Sequence, residues 1–274
     1  MTEIVIDSSL CSGCGICTRI CPYFIIERKE DANTASVNTD AVPYCSHCGH
    51  CGAICPEGAI TVTYPGFGPV ADISGQSLPT AGQLARLIMS RRSVRAYKEE
   101  KVPAEVFTEI FDIIRYAPSG MNGQSVSWLV IQEQKDVQAL VARVIDWARI
   151  LVKEHPTHPL APILPMIIGA WEQGTDRVCH GAPHIVFAYG HKDNPIGFID
   201  SIIAMTHLDL TAPVFELGTC WAGIVQIALD SSPELMQSIG LPVDHKTHYA
   251  MMIGYPKLLF KSIPRRNAVN VIWK

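Results

Sequence analysis

The chain is short of charge. Only 18% of its 274 residues are Asp, Glu, Lys or Arg; their formal balance is -4, and the pI is about 6.2. That excludes a general attraction to nucleic acid, which needs a basic patch or stripe. Long hydrophobic runs are missing too. The most apolar long stretch, LAPILPMIIGA over 160–170, carries two prolines and falls well short of the ~20 residues of a membrane span. The opening MTEIVIDSSLCSGC has no basic start and only a short apolar patch, so no secretory signal is expected. There is no P-loop, no G-x-G-x-x-G and no supported Ser-His-Asp arrangement. These absences predict a soluble, cytoplasmic protein with no nucleic-acid partner, no membrane and no Rossmann nicotinamide site. Apolar residues make up 48%, an ordinary globular balance for one or two domains.

Cysteine is what the chain has in plenty. Eight of its ten cysteines fall in two runs, CSGCGICTRICP from Cys11 and CSHCGHCGAICP from Cys45. Each reads C-x2-C-x2-C-x3-C-P. Soft thiolates at this spacing suit iron–sulfur clusters, and in the bacterial two-cluster pattern the fourth cysteine of each run ligates the other cluster. The expected ligand sets are therefore Cys11, Cys14, Cys17 and Cys55 for one [4Fe–4S] cluster, and Cys45, Cys48, Cys51 and Cys21 for the second. Gly13, Gly15, Gly49 and Gly52 let the backbone crowd the clusters. Structural zinc is the competing chemistry, but it uses separated C-x2-C pairs with four ligands per ion, a poor match to these triplets. His47 and His50 read as spare surface residues, with His50 able to tune a cluster potential. Residues 1–64 thus resemble a complete two-cluster bacterial ferredoxin, whose function alone would be one-electron transfer.

The stretch 65–79, PGFGPVADISGQSLP, is rich in Gly and Pro without apolar period and reads as a linker. Helical sequence begins at a capping box, Thr80 at N-cap and Gln83 at N3. A second helix is expected from Pro103 to Pro118, with Val106, Ile110, Ile113, Ile114 and Ala117 on one face. Strands are expected over 127–132, 184–190 and 247–256, with AVNVIW near the C-terminus as a fourth. A long amphipathic helix should span 136–154, and a nearly all-apolar, fully buried one 197–218. The fold class is α+β, an N-terminal two-[4Fe–4S] ferredoxin domain (1–64), a linker (65–79) and a second α+β domain (80–274) with helices packed on a small sheet.

Five segments of that second domain, SRRSVRAY (90–97), APSGMNGQ (117–124), GAPHIVFAY (181–189), ELGTCWAG (216–223) and MIGYPK (252–257), stand in the order seen in the nitroreductase family of flavoproteins. The whole chain resembles ferredoxin–nitroreductase fusions. The resemblance implies an FMN-dependent homodimer with each flavin in a cleft at the subunit interface. Arg91, Arg92, Ser93 and Arg95 would then meet the phosphate and ribityl chain, for which the guanidinium fork is suited; the plain alternative is basic residues answering a helix C-terminus. Pro118, Ser119, Gly120, Asn122 and Gln124 would lie along the ring of the partner's flavin, although their residues also suit a simple turn. Thr219, Cys220, Trp221, Ala222 and Gly223 would supply backbone groups to the flavin face; the plain reading makes Gly218 a helix C′ residue. Cys220 reads as a buried, inert thiol. Arg265 and Arg266 are candidates for the phosphate. His155 and His158 are broken from alignment by prolines, and region 150–180 is where a substrate lid would sit, with Arg177 and His180 as further candidate contacts. His184 reads as structural. No residue is singled out as catalytic.

The expected function is electron transfer from a low-potential donor protein through the clusters to FMN, and on to a small acceptor such as a nitroaromatic, quinone or flavin. Two rivals stand beside it. One is a non-catalytic carrier or redox sensor with FMN as relay; the other is an NAD(P)H-dependent reductase with the clusters as electron exit.

Overall fold

Each cysteine run turns on a left-handed glycine and then coils. Gly15 (φ 71°) precedes α1 (Ile16–Ile20) and Gly49 (φ 70°) precedes α2 (His50–Ala53), so the sequence repeat is also a backbone repeat. The computed structural model describes residues 3–28, 33–64, 73 and 75–274, which form two compact units, Met1–Leu78 with Met121–Gly123 and Pro79–Gly120 with Gln124–Lys274. In the first unit β1 (Glu3–Ile6) pairs antiparallel with β4 (Ile60–Thr63), and the short β2 (Ile26–Glu27) pairs with β3 (Ser36–Val37). Ile25, Ile26, Ala35, Ile60 and Cys17 form its small core. The linker expected over 65–79 lies largely outside the described residues.

In the second unit the Thr80 hydroxyl and the Gln83 side chain cap α3 (Ala81–Ser90) reciprocally. Pro103 is the N-cap of α4 (Ala104–Ile114) rather than its first residue. There follow β5 (Ser127–Ile131), α5 (Gln134–Glu154), α6 (Leu164–Glu172), β6 (His184–His191), α7 (Gly197–Thr211), β7 (Gly218–Trp221), α8 (Gly223–Ser231), α9 (Pro233–Ser238) and β8 (His245–Gly254). The strands make one antiparallel sheet in the order β5-β6-β8-β7. β6 and β8 are apolar along both faces because both faces are covered. Ile185, Phe187, Ala250 and Met252 meet α5, α6 and α8 on one side. Val186, Ala188, Met251 and Ile253 meet α4 and α7 on the other.

Three expectations are corrected. The fourth strand is β7, not AVNVIW, which belongs to an exposed, irregular tail from Lys257. The long apolar helix ends at Thr211, passes through a 3-10 turn (Ala212–Phe215) and stops at left-handed Glu216 (φ 59°). Gly218 is therefore no helix cap. It opens β7, where a Cβ would fall 2.4 Å from Val94 Cγ2, so its small size is what lets the Val94 segment close onto the strand. Nor is α7 buried all round: Gly197, Asp200, Ser201, Ala204, Met205, Leu208 and Asp209 face inward, while Phe198 and Ile199 are exposed. Gly197–Phe215 is long and apolar enough to cross a membrane by length and composition. It carries Asp200 and Asp209 on the face packed against the protein.

Candidate functional site

The first unit gathers its thiols across the two runs. Cys21, Cys45, Cys48 and Cys51 line one small space of about 20 Å³, walled by Ile4, Ile20, Ile25 and Tyr64. Three of these cysteines come from the second run and one from the first. Burial pushes the Cys51 thiol up, and Cys48 and Cys21 are close enough to push it further. Burial likewise pushes Cys17 up, with Cys14 and Cys11 adding to the rise. Cys55 Sγ accepts the Ala59 N–H at 3.3 Å, a backbone bond of the kind that tunes a cluster ligand. Four soft donors round one space fit an iron–sulfur cluster, whose cations draw off the thiol protons as it binds. Gly13 (φ 67°) has no room for a side chain, since a Cβ would sit 2.1 Å from the Asn33 carbonyl oxygen. Gly52, by contrast, is helical. His47 and His50 are exposed, and His47 packs on the Tyr64 ring at 4.9 Å. Among the described residues no three His, Cys, Asp or Glu side chains close round a single metal ion.

In the second unit, segments far apart in sequence meet. The Val94 N–H donates to the Thr219 carbonyl at 2.8 Å, and Ser93 forms a parallel bridge to Thr219. The stretch Arg91–Arg95 is thus laid along the free edge of β7. The Tyr97 hydroxyl donates to the Val94 carbonyl at 2.8 Å and braces the turn. Lys98 N–H to Tyr255 O and Lys257 N–H to Ala96 O, each 2.9 Å, tie the same segment to the end of MIGYPK. Pro183, from GAPHIVFAY, fills the place where Gly254 lacks a side chain.

One carboxylate that the sequence analysis passed over lies at this junction. Asp209, buried on α7, accepts from the Thr219 hydroxyl at Oδ1 and from the Trp221 indole N–H at Oδ2, 3.1 Å away. Its Oδ2 also pairs with Arg91 Nη1 at 3.3 Å. Beside it, Arg92 Nη1 donates to the Arg91 carbonyl, and the buried Arg92 Nε has no partner among the described residues. An orphaned guanidinium N–H next to a second, part-exposed guanidinium fits an anionic group such as phosphate. Arg95 is exposed. Cys220 is buried, which pushes its thiol up and leaves it protonated at neutral pH. The Ala222 N–H is committed to the Ala250 carbonyl at 2.9 Å. A signal for Asp209 was present: an acid within an otherwise apolar helix needs a partner.

The APSGMNGQ turn is held elsewhere. The Gly120 N–H donates to Asp200 Oδ1 at 2.9 Å, and Asp200 lies nine residues before Asp209, about 13 Å along the helix axis. Pro118, Ser119 and Gln124 line an open cavity of about 300 Å³ with Phe111, Trp128 and Asp200. The glycines are not the strained residues: Met121, Asn122 and Gln124 take left-handed φ values of 53°, 55° and 45°. Gly120 is needed for space, since a Cβ would meet Ile196 Cδ1 at 2.4 Å. Asn122 groups with the first unit, where its Nδ2 donates to the Ser46 carbonyl at 3.0 Å. Arg265 and Arg266 stand exposed in the C-terminal tail. His155 and His158 sit in the turns after α5, His158 Nδ1 accepting the Leu160 N–H. His180 is half-buried with φ 54°, and burial lowers its pKa.

Comparison with known proteins places both halves. Residues 88–255 match the nitroreductase family and residues 10–60 match a 4Fe-4S dicluster domain. An iodotyrosine deiodinase of Thermotoga neapolitana is 22% identical over 183 residues, 67% of this chain and 94% of its own. An FMN reductase [NAD(P)H] of Bacillus subtilis is 23% identical over 193 residues, 69% of this chain and 72% of its own. Among solved structures, a nitroreductase with bound FMN from Bacteroides fragilis superposes with a TM-score of 0.57 at 22% identity, over 70% of this chain and 99% of its own. That likeness establishes the fold.

Proposed function

Because the chain belongs to the nitroreductase family and carries a 4Fe-4S dicluster stretch, we propose that it is an iron–sulfur flavoprotein oxidoreductase. It takes electrons from a low-potential donor protein and delivers them, through two [4Fe–4S] clusters and FMN, to a small acceptor such as a nitroaromatic, quinone or flavin. Residues 1–64 are the cluster domain, 65–79 the linker and 80–274 the FMN domain of a homodimer. The observation that carries the reading is two cofactor-type constellations in one polypeptide: thiols of both runs round one space, and Arg91–Arg95 laid along Gly218–Trp221.

When bound, the clusters supply one-electron transfer and FMN supplies both one- and two-electron chemistry. The chain's own residues bind, orient and exclude water. Arg91 and Arg92 present guanidinium N–H groups to the phosphate, and Ser93 and Arg95 extend that surface. The Thr219–Gly223 stretch forms a wall whose side chains are largely spent on internal bonds, with Trp221 and Gly223 only half-buried. Pro118 and Ser119 lie with Asp200 at the other end of α7 from Asp209 and lay the turn along the ring of the partner's flavin. Fusion raises the effective concentration of donor at acceptor.

The test is anaerobic purification followed by reductive titration, with flavin absorbance and cluster EPR followed together. About eight irons and one FMN per chain are expected, with reduced clusters passing electrons to flavin. Flavin that stays oxidised beside reduced clusters overturns the coupling. A second reading, NAD(P)H as the electron source with the clusters as exit, is favoured by the name of the Bacillus subtilis relative. Rapid flavin reduction by NAD(P)H alone would select it.

A further inference from the structure

We infer that Asp209 is a positioning residue that aims Arg91 at the FMN phosphate. The inference rests on the FMN reading above and deepens it. Asp209 is buried to 6% exposure, and its two carboxylate oxygens serve three residues from two segments. Oδ1 takes the Thr219 hydroxyl; Oδ2 takes the Trp221 indole and Arg91 Nη1. The Arg91 side chain keeps a quarter of its surface exposed. A guanidinium has five N–H donors in a rigid fork, so the ion pair at Nη1 restrains the fork while its other donors are left for an anion.

The same carboxylate holds that fork against β7, whose Thr219 carbonyl already takes the Val94 N–H. Arg91 is thereby indexed to the strand twice, once through its own backbone segment and once through its side chain. Beside it, the buried Arg92 Nε lacks a partner, and a phosphate oxygen there would supply one. Without Asp209, Arg91 would be a free cation on a flexible stem, and the rotamer freedom it would lose on binding would weaken its hold on an anion.

Phosphate recognition distinguishes this role from a merely structural one, because riboflavin has the same ring and ribityl chain without the phosphate. The experiment measures the affinities of the full-length apoprotein for FMN and for riboflavin, by quenching of flavin fluorescence, in the wild type, Asp209→Asn, Arg91→Ala and the double variant. Asp209→Asn is expected to weaken FMN by about ten- to a hundredfold, the range for a charge-assisted bond, and to leave riboflavin nearly unchanged. The double variant should be no weaker than Arg91→Ala alone. Equal weakening of FMN and riboflavin, or no change in either, overturns the inference, as do fully additive effects of the two substitutions. Wild-type protein that takes up neither flavin overturns the FMN reading itself. Should Asp209→Asn fail to fold, Thr219→Val keeps the side-chain shape and replaces only the hydroxyl that donates to Asp209 by a methyl. It should lower the FMN-to-riboflavin affinity ratio in the same direction, and an unchanged ratio overturns the inference.

Discussion

His184 is a base held in its neutral form by burial. It is fully enclosed, its Nε2 accepts the Val102 N–H at 2.9 Å, and it meets the Phe107 ring edge-on at 5.5 Å. Burial lowers its pKa, and His180 and His248 shift the same way. In the unfolded chain a histidine titrates near ~6.5. Below that pH the unfolded state binds more protons than the folded one, so stability rises with pH and is lost as pH falls through the unfolded value. Thermal melts should therefore show a falling midpoint from pH 7.5 to 5.5. His184→Ala should flatten that slope and, at pH 7.5, cost about 1–3 kcal/mol by leaving the Val102 N–H without an acceptor. A slope as steep as the wild type's would show that His184 is not what resists the proton. Residues of this kind divide by how their partners were reached. The His184 role could be read from its place in an apolar strand. Asp209 was missed because its partners, Arg91, Thr219 and Trp221, are joined to it only by the fold.

Elements were legible where they carry their own start signals and period. The Thr80 capping box marks α3, and the apolar spacing from Val106 marks the start of α4 within a residue, although the helix ends at Ile114 and Ala117 lies beyond it. β7 was not legible, because four residues that open on glycine after an apolar helix have no alternation to read. AVNVIW has alternation but no neighbouring strand, and a strand needs a ladder to exist. The composition of α7, apolar almost throughout, predicts burial on every side. In the chain one face is inward, while Phe198 (54%) and Ile199 (58%) stand exposed, and α3 buries no side chain at all. Apolar helix faces left uncovered by their own chain are what a homodimer would use. Ile199→Glu replaces about 1.5–3 kcal/mol of apolar burial with a charge. Light scattering after size exclusion should then show a shift toward the single-chain mass, while the separated chain still melts in one cooperative transition at a lower midpoint. A variant that remains dimeric at micromolar concentration would remove α7 from the interface.

At the scale of the molecule the two cofactor sites differ in how they are written into the chain. Cluster ligands sit a few residues apart, because three thiols must wrap one small inorganic core, and so the spacing alone announces them. The proposed flavin surface draws on segments scattered through the second unit, each of which reads as an ordinary turn or strand until the sheet brings them together. Even so, the cysteine runs conceal one thing that spacing cannot prove, which is whether each run serves one cluster. Cys21 ends the first run yet shares its space with Cys45, Cys48 and Cys51, and it raises the Cys51 thiol. Crossed ligation makes Cys21 and Cys48 members of one set and Cys14 a member of the other. Pairs of alanine substitutions separate the alternatives through iron content after anaerobic reconstitution. With crossing, Cys21→Ala together with Cys48→Ala disables a single site, and the protein should keep about four irons per chain. Cys21→Ala together with Cys14→Ala disables both, and iron should fall toward zero. If the runs served one cluster each, these two results would change places, because Cys21 and Cys14 would then belong to the same site.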